Sequence, residues 1–203
     1  MKKILVVALF VVLAASLASA EVLTTANPVG QGKWAVLGSG LSDNSNGSSM
    51  TTIGGYLGYG INDKLDTYFQ VGQANASGTA ITGVGLNVKY AIVSESASMP
   101  VAVAAGAGYK SLSMTGGNGT EMSIGASVSK FLGAFLPYSG LAYRKNTANG
   151  ADYSSQIDLT VGSAIPMKNV GAFFVEYTLQ NISPAAGGSV SGSQIGAGFG
   201  ATL

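Results

Sequence analysis

The sequence contains no cysteine and no histidine, and only 9% of its 203 residues are charged. Without either residue, disulfides, thiolate nucleophiles and the usual zinc sites are excluded. Ser-His and Cys-His catalytic systems go with them, as does the commonest general base near neutral pH. Soluble domains carry roughly a quarter charged residues and need them to stay dispersed. Ten basic residues against nine acidic ones supply no basic face for a nucleic acid. After Ala20 there is no apolar run long enough for a transmembrane helix.

What is present begins at the N-terminus. Lys2 and Lys3 precede the unbroken apolar run Ile4 to Ala15, and Ala18-Ser19-Ala20 has the small-x-small pattern of a signal-peptidase site. Residues 1–20 are therefore expected to be a cleaved secretory signal peptide, leaving residues 21–203 as one domain. Taking Lys2 and Lys3 from the ten basic residues leaves eight against nine acidic, a net charge of −1. All 30 glycines fall in this mature part.

Apolar residues make up 47% of the chain, and in the mature part they alternate. Ile195, Ala197, Phe199, Ala201 and Leu203 are separated by Gly196, Gly198, Gly200 and Thr202. Phe173, Val175, Tyr177 and Leu179 alternate with Phe174, Glu176, Thr178 and Gln180. Ile157, Leu159 and Val161 alternate with Gln156, Asp158 and Thr160. In a strand such sets face opposite sides. Ten segments read as strands: 32–41, 50–60, 65–74, 79–92, 99–111, 120–131, 134–145, 153–164, 170–180 and 193–203. Each is near the ~9–11 residues that a tilted membrane strand needs.

The connections alternate too. Polar, usually longer stretches stand at 42–49, 74–78, 115–119, 146–152 and 183–191, with mostly tighter ones at 62–64, 94–99, 132–133 and 166–169. Long loops on one side and short turns on the other suit a membrane barrel. An even strand number puts both termini on the short-turn side. Tyr59, Tyr90, Phe131 and Phe135 stand near that end, Tyr109 and Tyr143 near the other, as two aromatic girdles would. The expected fold is an all-β, antiparallel up-and-down transmembrane β-barrel. It has ten strands, or eight if the first and one middle segment are not strands.

The charges within the strands keep to one parity. Asp66, Lys89, Lys110, Glu121, Asp158 and Glu176 all oppose the apolar set, and Arg144 joins them if Leu141 and Tyr143 face out. A charge on the lipid side at mid-depth costs roughly 2–4 kcal/mol, so this parity is the lumen. Lys110 and Glu121 flank one connection and are expected to be cross-strand partners. Asp158 and Glu176 are expected opposite each other across 164–169, with Arg144 or Lys89 reaching over the lumen to them. These seven residues form a proposed polar network, either filling the barrel or lining a charged constriction.

Other motifs carry little. The GxG pairs, such as Gly83-Val84-Gly85, open no helix in a βαβ unit, so no dinucleotide site is expected. Asp43 to Gly47 lacks the ligand spacing of a calcium loop. No catalytic, cofactor or metal site is expected. A hydrolase built on Asp158 and Glu176 alone is the one enzyme type left open.

With its signal peptide, alternating pattern, loop asymmetry and C-terminal strand, the chain resembles small bacterial outer-membrane β-barrels: the OmpA transmembrane domain, OmpX and the Opa-like barrels. The resemblance covers residues 21–203. It implies a Gram-negative outer membrane, lipid and lipopolysaccharide around the wall, and the barrel-assembly machinery during biogenesis. That machinery reads a terminal aromatic residue, where this chain has Leu203. The enzymes of the class rely on histidine, which this chain lacks. The expected function is a non-enzymatic structural or surface-interaction (adhesion) role. A narrow porin-like channel is the alternative, and a secreted Gly-rich β protein the third reading.

Overall fold

The structure is a computed structural model that describes residues 25–45, 48–76, 79–114, 117–168 and 170–203. The expected signal peptide, residues 1–20, lies outside the described residues. Ten strands follow in order: β1 (Trp34–Ser45), β2 (Ser48–Gly60), β3 (Leu65–Ala76), β4 (Thr79–Val93) and β5 (Ala102–Met114), then β6 (Gly117–Ser129), β7 (Leu136–Ala148), β8 (Ala151–Met167), β9 (Gly171–Pro184) and β10 (Val190–Thr202). Each pairs antiparallel with its neighbours in sequence, and β1 also pairs with β10, so the sheet closes on itself with no free edge. The barrel has ten strands, and the eight-strand alternative falls away.

The alternation decides which way each side chain points. Ile157, Leu159 and Val161 are exposed on the outer wall, while Gln156, Asp158 and Thr160 are buried within. On β9 Phe173, Val175, Tyr177 and Leu179 stand outside, and Phe174, Glu176, Thr178 and Gln180 inside. The molecule is thus inverted relative to a soluble protein, with an apolar outside and a largely polar interior. Water would penalise such a wall, at about 1.5–3 kcal/mol for each large apolar side chain left exposed, whereas hydrocarbon does not. Among the described residues no helix is long and apolar enough to cross a membrane.

The two ends differ in polarity, but not in length as expected. The strands continue into the polar stretches, leaving only residues 46–47, 77–78, 115–116, 149–150 and 185–189 between them. The other end keeps 61–64, 94–101, 130–135 and 168–170. Backbone pairing needs no apolar side chains, so polar hairpins extend the ladders past the apolar wall. At one tip Asn149 and Gly150 both have positive φ, 49° and 81°, the two-residue turn that matches strand twist. Both ends of the described chain lie at the opposite, termini end, where Trp34 leans on Tyr59 with ring centroids 4.8 Å apart.

Glycine on the inner parity makes room in a narrow lumen. A Cβ at Gly162 would lie 2.5 Å from Tyr138 Cζ, and one at Gly198 would overlap the Phe174 ring. Large lumen side chains lie across glycines of the next strand. Among the described residues the apolar clusters inside are small: Leu41 with Tyr56, Leu136, Tyr138 and Ala164 with Phe174, and Ala26 with Ala102 and Ala104.

Candidate functional site

The candidate site is the lumen. All seven residues of the expected network point into it. Asp66, Lys89, Lys110, Arg144, Asp158 and Glu176 are buried, and the Glu121 side chain keeps 15% exposure. They form three groups rather than one.

The largest is a belt across β5 to β8. Lys110 lies directly opposite Glu121, and its Nζ donates to Oε1 at 2.7 Å. Arg144 Nη1 stands 3.7 Å from the other Glu121 oxygen. The same guanidinium donates from Nε to Asp158 Oδ2 at 2.6 Å, and Nη2 is also paired with that oxygen. Gln156 Nε2 donates to Asp158 Oδ1 at 2.6 Å. Two cations and two carboxylates therefore neutralise one another in a low-dielectric interior, where a lone charge would be costly.

A second group sits at the termini end. Asp66, directly opposite Lys89, is fully buried and lies 3.4 Å from the Lys89 ammonium. Tyr68 donates its hydroxyl to Asp66 Oδ2 at 3.0 Å, and its ring lies 5.3 Å from Lys89 Nζ. Lys89 is thus engaged locally and does not reach Asp158 or Glu176.

The third is Glu176, whose Oε2 accepts from the Tyr138 hydroxyl at 3.1 Å. The expected opposition of Asp158 and Glu176 is not found. Asp158 pairs with Gln180, and Glu176 with Gly162. The reason is that β8 continues through Pro166 to Met167, which moves the turn to 168–170 and shifts the register. Asp158 takes its hydrogen bonds from Arg144 and Gln156, and Glu176 takes its own from Tyr138. Among the described residues no cluster of three or more metal-ligating side chains occurs.

Neutral partners that the charge pattern does not mark complete the filling. Asn87 Nδ2 donates to Gln70 Oε1 at 2.6 Å, and the Thr160 and Thr178 hydroxyls lie 2.8 Å apart. Tyr68, Gln70 and Asn87 share the inner parity with the charges, and that parity is the signal that finds them. Cavities remain at both ends. One of about 520 Å³ at the termini end is lined by Asn27, Tyr68, Lys89 and Phe174, among others. One of about 700 Å³ at the polar-hairpin end is lined by Asp43, Glu121, Arg144, Gln180 and Gln194, among others.

No protein-family model matches the chain, and no curated protein sequence does. Solved structures do. The chain is similar to a bacterial polysaccharide outer-membrane secretin, with TM-score 0.50 and 13% identity, over 82% of this chain and 64% of that one. The chain therefore spans somewhat less than two thirds of that protein's length. It is also similar to an outer-membrane channel from Pseudomonas putida F1, with TM-score 0.51 and 10% identity, over 89% of this chain and 98% of that one. At such identities the likeness is one of fold. Closed, antiparallel, apolar outside and charged within, the chain has the fold of the bacterial outer-membrane β-barrels.

Proposed function

We propose that this protein is a non-enzymatic barrel of the bacterial outer membrane with a structural or surface-interaction role. The observation that carries this reading is the belt of Lys110, Glu121, Arg144 and Asp158, whose charges are spent on one another inside the lumen. Each charge of the belt has a partner of opposite sign within it, although Glu121 and Arg144 also border the cavity at the polar-hairpin end. The absence of histidine and cysteine argues against the usual catalytic systems. In this reading the apolar wall meets outer-membrane lipid and lipopolysaccharide. The assembly machinery inserts the barrel, the termini end faces the periplasm, and the polar hairpins carry any surface contacts.

The two cavities favour a second reading, a narrow passive channel for small solutes, and the likeness to a protein described as an outer-membrane channel supports it. Planar-bilayer recording separates the two. Purified, refolded protein should leave the bilayer silent, and stable conductance steps would overturn the structural role in favour of the channel.

A further inference from the structure

Residues 25–29 belong to no strand, yet they enter the lumen at the termini end. Ala26 is fully buried against Ala102 and Ala104 at the start of β5. Its amide donates to Ser129 Oγ on β6 at 3.1 Å, and Asn27 Nδ2 lies 3.5 Å from the same oxygen. Lys89 on β4 donates to the Asn27 carbonyl at 2.8 Å and reaches that of Thr25 at 3.4 Å. The Val29 amide donates to both oxygens of Asp66 on β3, at 3.0 and 3.2 Å. Both ions hold the backbone at shorter distance than they hold each other, 3.4 Å apart.

This donor set has the chemistry of a peptide receptor. A carboxylate and a hydroxyl accept backbone N–H groups, an ammonium holds carbonyls, and a recess between two alanines admits a methyl group. Four consecutive strands contribute, β3 to β6, so the site exists only once they are paired. Charge-assisted bonds of this kind are the stronger ones, and here they are shielded from water.

We propose that Asp66, Lys89, Ser129 and the Ala102–Ala104 recess form a built binding site for a peptide backbone. Its occupant is the chain's own segment 25–29, which closes the cavity at the termini end. The inference does not rest on the structural role, because a docked segment is compatible with a silent or a conducting barrel.

The sequence has no cysteine, so introduced thiols report cleanly. The pair Asn27→Cys and Ser129→Cys should form a disulfide on mild oxidation of the folded protein. Asn27→Cys with Gln194→Cys, at the opposite end, should not. Failure of the first pair to crosslink, or equal yields from both, overturns the proposal. A second measurement uses Ala172→Cys in the cavity wall. A membrane-impermeant maleimide should label it about tenfold faster once Asp66→Leu and Lys89→Met remove the clamp together, leaving no lone buried charge. A synthetic peptide of residues 21–31 added to Ala172→Cys protein lacking residues 21–30 should slow the labelling again. Unchanged rates in barrels that still shift on heating before electrophoresis would show that the segment closes nothing.

Discussion

A guanidinium inside a barrel needs counter-charges at bonding distance, and Arg144 has two, on Glu121 and Asp158. Removing one partner leaves the other charge buried and unpaired, which costs more than the pair contributes. Asp158→Ala is accordingly expected to lower stability by about 3–5 kcal/mol, and Asp158→Asn by less, since its amide still accepts a bond. Urea titration of the protein refolded in phospholipid vesicles checks both. Equal midpoints for Asp158→Ala and the unchanged protein would show that the belt carries no load. Parity alone marked these charges as lumenal. The flanking positions also gave Lys110 with Glu121, but not the separation of Asp158 from Glu176, because the β8–β9 register depends on where the turn falls, and β8 runs past Pro166. The five residues 25–29 show no period at all, so nothing in the sequence pattern marks them as a lumenal segment.

Each strand carries two surfaces with opposite requirements. On β8, Leu159 stands on the outer wall between Asp158 and Thr160, both buried. Leu159→Arg is expected to cost about 2–4 kcal/mol at mid-depth in lipid, while Leu159→Phe stays near neutral. The measurement is folded yield in vesicles by the heat-dependent gel shift. If Leu159→Arg refolds like the parent, the outer wall does not face hydrocarbon. The strand segments were legible because apolar and polar residues alternate across nearly all of them. Their ends were less so, because a ladder extends into Ser, Asn and Gly-rich sequence once both faces are wet. Hence β7 and β8 leave only Asn149 and Gly150 between them, well inside the polar stretch 146–152.

For the whole molecule, an even number of strands places both ends of the described chain at one end of the barrel and the polar hairpins at the other. A short epitope inserted between Asn149 and Gly150 should be detected on intact cells. The same epitope between Asp63 and Lys64 should appear only after permeabilisation. The reverse pattern would invert the orientation. Too few charges, no helical span and strict alternation determined by themselves that the chain forms strands with an apolar face outward and a charged face inward. Those are properties of composition and of a two-residue period, both local. Closure of β1 on β10, the register that separates Asp158 from Glu176, and the docking of residues 25–29 between Asp66 and Ser129 were decided only in three dimensions. Each joins groups far apart in the chain, and no local pattern encodes such a meeting.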